Sequence, residues 1–256
     1  MIPLIKNQDL FCPVCRGASS LLDVVDFNKS CEEGNGSFLP LSGYPVYYAI
    51  CNQCGFTFTP EMMQWTLGQF EQDVYNADYI KVDPDYLQNR PKANAETLIS
   101  AFGDRAHLFS HLDYGGGNGL LSQHLREAQF TSASYDPFVN PETEIDTLGT
   151  FDLITAFEVF EHVPDVQQLM RNLVKLRASN GLVLFSTLLS DGNIHPKQRL
   201  GWWYASPRNG HISLFSRHSL FILAEQYGLK FGSFAEDLHI FYTSVPAWAD
   251  HIIQTQ

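Results

Sequence analysis

The sequence predicts an α/β protein, a mainly parallel sheet with an antiparallel last strand, preceded by a small cysteine-rich module. Three observations lead there. Strand-like and helix-like segments alternate from residue 107 onward, the pattern of a parallel sheet covered on both faces. The last two strand-like segments are joined by too few residues for a parallel crossover, so they pair antiparallel. All five cysteines fall within the first 60 residues of 256.

Taken in order, residues 1–60 form the small module, with β-prone pieces at 21–27, 44–50 and 56–59 and glycine-rich punctuation at 33–37. Residues 61–104 read as two helical pieces connecting that module to the main domain, the second introduced by Asp83 and Pro84, a capping acid followed by proline at the first helical position. The main domain occupies residues 105–256. Strands are expected at 109–114, 132–135, 151–157 and 182–188, helices at 120–129, 164–177 and 217–227, and the final strand pair at 229–235 and 238–244.

Composition narrows the partners. Sixteen Lys and Arg against 28 Asp and Glu give a formal charge of -12, which repels phosphate backbones and anionic lipid. Nucleic acid is therefore disfavoured, and no basic patch offsets the balance; Arg171, Lys175 and Arg177 sit on an expected solvated helix face. Residues 1–11 contain Asp9 and lack the uninterrupted apolar run of a signal peptide. No segment offers the ~18 apolar residues of a membrane span. The chain reads as cytoplasmic, a compartment where paired C-x-x-C motifs point to metal or redox work more than to disulfides. The sequence leaves the oligomeric state open.

The segment His111-Leu112-Asp113-Tyr114-Gly115-Gly116-Gly117-Asn118-Gly119-Leu120 places glycines where a buried strand turns into a helix. Glycine accepts positive φ and lets a ligand approach the backbone, while the new helix offers unpaired N–H groups. Asp136 ends the next strand, where a carboxylate accepts hydrogen bonds from both hydroxyls of a ribose; the ligand then contains a nucleoside. The dinucleotide fingerprint G-x-G-x-x-G is incomplete, because its sixth position is Leu120 when counted from Gly115 and Ser122 when counted from Gly117. An acid two residues before G-x-G-x-G is present instead, as Asp113, Gly115, Gly117 and Gly119.

On these residues the chain resembles the Rossmann-like class I S-adenosylmethionine-dependent methyltransferases, in particular the methyltransferase domain 23 type, which includes ubiquinone-type O-methyltransferases and deoxysugar methyltransferases. The resemblance is carried by DYGGGNG (113–119), YDPF (135–138), FDLITAFEVFEHVPD (151–165) and HISLFS (211–216). It implies that Asp113, Gly115, Gly117, Asn118 and Gly119 wrap the methionine part of the cofactor, that Asp136 binds its ribose, that Phe138 flanks the adenine, and that Ala156, Phe157 and Glu158 lie beside it. One feature departs from the family: only 14 residues separate Asp136 from Phe151, so the helix and strand expected between them are shortened or absent.

The family places Glu161 and His162 near the acceptor pocket. A histidine with a carboxylate neighbour can take a proton at neutral pH, or can simply hold the loop in shape. The insertion before Ser213 carries His195, Trp202, Trp203, Tyr204, Arg208 and His211, and lies where acceptor pockets and lids occur. His162 and His211 are the candidate catalytic residues, His211 because it falls within the family-like HISLFS segment.

In the N-terminal module, Cys12-Pro13-Val14-Cys15 and Cys51-Asn52-Gln53-Cys54-Gly55 form two knuckles. Such pairs bring four thiolates around a zinc ion. Cys12, Cys15, Cys51 and Cys54 leave no open coordination position, so the zinc is structural, a staple for a module with little core of its own. Cys31 is surplus and reads as a free thiol. A similar cysteine-rich module precedes the catalytic domain in some deoxysugar C-methyltransferases. The expected reaction is methyl transfer from S-adenosylmethionine to a small-molecule acceptor, such as a nucleotide sugar or another biosynthetic intermediate. RNA or protein methylation is the alternative; NAD-dependent dehydrogenation, or a non-catalytic module binding zinc and a nucleoside, stands further off.

Overall fold

A computed structural model describes residues 10–253. Most of the segment on which the reading against a signal peptide rests lies outside the described residues. In chain order the elements are β1 (Leu10–Phe11), β2 (Ala18–Asp26), β3 (Pro45–Cys51), β4 (Thr57–Phe58), α1 (Leu67–Asp73), α2 (Asn89–Phe102), β5 (Ser110–Tyr114), α3 (Leu120–Glu127), β6 (Thr131–Tyr135), β7 (Phe151–Ala156), α4 (Val166–Leu176), β8 (Arg177–Ser186), β9 (Ser213–Leu214), α5 (Arg217–Gln226), β10 (Lys230–Ser233) and β11 (Leu238–Tyr242). No helix among the described residues is long and apolar enough to cross a membrane.

Two compact units emerge. Among the described residues, the first gathers 10–76, 161–167 and 188–223. Its antiparallel sheet runs β1-β2-β3-β4-β9. The linear boundaries drawn at 60 and 104 do not follow this grouping, for a long-range reason. β9, from the late insertion, pairs with β4 through Thr57 with Leu214 and Phe58 with Ser213. Phe215 then packs on Phe56 at 4.9 Å between ring centroids, and both rings are fully buried. Burying two aromatic side chains on one contact stabilises by several kcal/mol, roughly 2 to 3 for each, which ties the insertion to the cysteine-bearing sheet.

The second unit holds, among the described residues, 77–160, 168–187 and 224–253. Its six-stranded sheet has the order β10-β11-β8-β7-β5-β6. β6, β5, β7 and β8 are parallel. β11 runs antiparallel to β8 and to β10, as the short connection required. Leu98, Phe102, Leu121, Leu125, Leu153 and Leu182 belong to one buried cluster on this sheet, which is why helices α2 and α3 carry apolar stripes at helical spacing. The shortened link after Asp136 contains only turns and a single short 3-10 segment, Ile145–Thr147. β6 is therefore the sheet edge, and the carboxyl ends of β5, β6 and β7 open together.

One boundary moves. The helix expected to start at Asp83 and Pro84 begins at Asn89. Asp83 instead receives both guanidinium nitrogens of Arg90, each at 2.9 Å.

Candidate functional site

In the second unit, β5 ends at Tyr114 and the chain turns through Gly115, Gly117 and Gly119, with φ of 75°, 52° and 76°. The left-handed region is costly for any residue with a Cβ. At Gly116 the constraint is steric. A Cβ there would stand 2.4 Å from Asp113 Oδ2 and 2.4 Å from Ser134 Oγ. The turn is pinned to the neighbouring strand, because the Gly115 and Gly116 amides both donate to the Tyr135 carbonyl. Asn118 accepts from the Leu120 amide at 3.1 Å, securing the first turn of α3.

Asp113 is buried and oriented by a chain of hydrogen bonds. Thr155 Oγ1 donates to Asp113 Oδ1 at 2.9 Å. His111 Nε2 lies 3.0 Å from that hydroxyl and its Nδ1 lies 2.7 Å from Ser132 Oγ. Because the threonine proton is committed to Asp113, His111 donates from Nε2 and Nδ1 accepts from Ser132. Burial pushes His111 down to about 3, so it stays neutral. Burial pushes Asp113 up to about 7, opposed by Thr155 and reinforced by the Asp136 charge.

Asp136, at the end of β6, accepts from the Gly117 amide at 3.0 Å through Oδ2 and from the Phe138 amide at 2.8 Å through Oδ1. A carboxylate has about four acceptor positions, so these bonds orient it without exhausting it. Phe138 is 41% exposed. Ala156 is buried at the end of β7, while Phe157 packs against the apolar cluster. Glu158 has φ of 53°, rare for a residue with a long side chain. Its amide donates to Ser186 Oγ at 2.8 Å, and that hydroxyl donates to Glu158 Oε1 at 3.0 Å. Desolvation raises the Glu158 pKa and the Arg90 charge opposes the rise.

In the first unit, all five cysteines are free of disulfides. Cys12 Sγ lies 3.6 Å from Cys54 Sγ, and Cys15 Sγ lies 3.4 Å from Cys51 Sγ. Amides of Cys15, Gly17, Gln53 and Cys54 point at the sulfurs at 3.4 to 3.5 Å. The hydrogen bond from Cys54 is the main cause that draws Cys12 down to about 6. Four convergent sulfurs ringed by N–H donors fit a thiophilic cation such as zinc.

A second cluster in this unit comprises Glu161, His162 and His211. Glu161 is fully buried and accepts from the Tyr204 hydroxyl at 2.6 Å. His162 Nε2 lies 3.9 Å from Glu161 Oε1, and the two histidine rings are 4.8 Å apart. His211 Nδ1 lies 2.8 Å from the Tyr204 carbonyl. Cys31 Sγ stands 3.0 Å from Ser206 Oγ and 3.8 Å from His211 Nδ1.

The sequence profile of the methyltransferase domain family, type 23, matches residues 86–232. The chain belongs to this methyltransferase family. It is 37% identical to the ubiquinone biosynthesis O-methyltransferase of Colwellia psychrerythraea over 30% of this chain and 41% of that one. To the enzyme of the same name from Rickettsia conorii it is 31% identical, over 39% of this chain and 43% of the relative. The chain thus spans less than half the length of these two curated relatives. An O-methyltransferase family protein from Burkholderia thailandensis shares the fold, with a TM-score of 0.51 at 12% identity, covering 69% of this chain and 63% of that one.

Within the methyltransferase fold, the second unit brings Asp113, the glycine turn, Asp136 and Glu158 to the carboxyl ends of adjacent strands. His162 and His211 come together in the first unit, whereas His195 belongs to neither cluster. Arg90 and the role of Asp83 escaped the sequence reasoning, which named Tyr204 only as one of the polar groups of the insertion before Ser213. Asp83 and Arg90 are seven residues apart, a spacing that in a continuous helix would put them on one face; the missed signal was that the pair could close before the helix began.

Asp113 supplies a pH test. Between its ordinary value of 3.8 and about 7 the folded protein keeps a proton that the unfolded chain releases. This carboxyl therefore makes stability fall as pH rises through that window, by at most about 1.4 kcal/mol per pH unit, and adds nothing further above it. In ligand-free protein the melting temperature of Asp113→Asn relative to wild type should climb steadily from pH 4 to pH 7. Parallel melting profiles would show that Asp113 is ionised throughout.

Proposed function

We propose that this protein transfers a methyl group from S-adenosylmethionine to a hydroxyl of a small organic acceptor. The observation that carries the reading is the turn itself: a strand, three positive-φ glycines and a helix start, with a buried acid beneath and Asp136 at the next strand end. In this reading Asp113 supports from beneath, and Gly115, Gly117 and Gly119 shape, the turn that receives the methionine part. Asn118 shapes the turn, Asp136 accepts from the ribose hydroxyls, Phe138 flanks the adenine, and Ala156, Phe157 and Glu158 line the side at β7. Arg90, charged and beside Glu158, is suited to the methionine carboxylate. The cofactor supplies an electrophilic methyl on a sulfonium, so the chain's task is largely alignment.

His162 and His211 are the candidate bases for the acceptor's hydroxyl, with Glu161 and Tyr204 orienting them. The hydroxyl proton passes to an imidazole nitrogen and the oxygen bonds to the methyl carbon while the carbon–sulfur bond breaks, its electron pair remaining on sulfur as S-adenosylhomocysteine leaves. The acidic balance favours a small acceptor over RNA. Nucleotide sugars fit through the resemblance of the cysteine module, and an oxygen acceptor through the O-methyltransferase names of the relatives. The four-cysteine cluster holds a structural zinc and fixes the end of the sheet formed by β1 to β4.

Two experiments test this reading. A methyl-donor assay against nucleotide sugars, small phenols and bulk RNA should show turnover only with a small acceptor; activity on RNA alone would reverse the choice. In that assay His162→Gln and His211→Asn should lower turnover by about 100-fold or more with cofactor affinity nearly unchanged, since proton transfer typically contributes 10² to 10⁴. Turnover within a fewfold of wild type in both would remove the histidines from the chemistry.

For the module, protein purified without chelator should carry one zinc held by thiolates, and the double variant Cys51→Ser, Cys54→Ser should lose it along with several degrees of melting temperature. Undiminished zinc in the double variant would contradict the assignment.

A further inference from the structure

We propose that Glu161, His162 and His211 hold a divalent first-row metal ion, a second metal site separate from the four cysteines. Each residue presents one donor atom, and the three donors lie within 4.8 Å of one another. Donors about 2.1 Å from one ion stand roughly 3 to 4 Å apart, so small side-chain rotations close the set. His162, the only one of the three that is not buried, is the side chain that can make them.

The donor chemistry suits such an ion. Two imidazoles and a carboxylate are ligands for Mn²⁺, Fe²⁺, Co²⁺ or Zn²⁺, unlike the four thiolates, which select zinc. The protonation state is already set at one ligand. A carbonyl only accepts, so the 2.8 Å contact with the Tyr204 main chain puts the His211 proton on Nδ1 and leaves the lone pair on Nε2. Metal-bound histidines characteristically donate their other N–H in this way, and ligating carboxylates are themselves hydrogen-bonded. Tyr204 does both here, since its hydroxyl donates to Glu161 at 2.6 Å. One residue thus orients two of the three ligands.

Space beside the third ligand is kept by a glycine. Gly210 has φ of 84°, and a Cβ there would lie 3.2 Å from His162 Nδ1 and 2.9 Å from the Tyr75 hydroxyl. A dication would also balance a carboxylate that is completely buried, whose desolvation is otherwise expensive. The catalytic consequence, though not the binding, rests on the acceptor reading above: a bound ion would acidify the acceptor's hydroxyl as a Lewis acid, and the two histidines would act through it.

The test uses the full chain in its zinc-loaded form, titrated with Mn²⁺ and followed by loss of the free-ion paramagnetic resonance signal, with no cofactor or acceptor present. Wild type should take up one Mn²⁺ per chain while its zinc content stays at one. Glu161→Gln and His211→Gln should weaken uptake by more than tenfold, and Tyr204→Phe, which keeps all three ligands, by about tenfold. If the buried variants fail to fold, His162→Gln, at the partly exposed ligand, should give the same weakening. No uptake by wild type at millimolar Mn²⁺, or uptake unchanged in the folded variants, would overturn the site. Methyl transfer without Mn²⁺ uptake would leave the acceptor reading standing, whereas Mn²⁺ uptake without methyl transfer to any acceptor would sink that reading alone.

Discussion

Everything at the strand ends of the second unit depends on how closely the turn after β5 passes over Asp113. The gap left at Gly116 is too small for a methyl group, and the amides of Gly115 and Gly116 are fixed to the Tyr135 carbonyl. The backbone therefore lies directly on a buried carboxyl that Thr155 and His111 hold in place. Asp136 extends the same arrangement by accepting from Gly117. Strand ends, turn and carboxylates form one hydrogen-bonded unit in which no member moves alone. Such a unit is set in place before any ligand arrives, so that little reorganisation is left to cost binding energy.

The first unit solves a different problem with similar economy. Its sheet pairs two longer strands, β2 and β3, with three of two residues each, and the sulfur cluster at the knuckles and the aromatic contact of Phe56 with Phe215 secure two places on it. The insertion that supplies β9 also supplies Tyr204 and His211, so the contact that completes the sheet carries part of the histidine cluster with it. Tyr204 is central to that cluster, bonding Glu161 through its hydroxyl and His211 through its carbonyl.

What the sequence disclosed tracked the range of each interaction. The glycine turn, Asp136, both cysteine knuckles and the antiparallel β11 are written in short spacings, and the 14-residue link after Asp136 predicted the missing helix and strand. Interactions between distant residues left no such trace. The pairing of β4 with β9 joins residues 157 apart, by the numbers of Thr57 and Leu214, and the bond from Tyr204 to Glu161 spans 43 positions. Asp83 shows the opposite failure: a short-range capping pattern was present, but a bidentate bond to Arg90 took the acid and the helix began later. The left-handed Glu158 was equally hidden, because its strain is offset by Ser186, far along the chain on β8.

The turn over Asp113 as the cofactor site is the central claim, and calorimetry of S-adenosylmethionine binding to Gly116→Ala tests it most directly. The added methyl group must displace the Asp113 carboxylate. Wild type should bind one cofactor per chain, and the variant, with its fold intact by circular dichroism, should bind at least about tenfold more weakly, a loss of roughly 1.4 kcal/mol or more. Equal affinity in the folded variant would place the cofactor elsewhere.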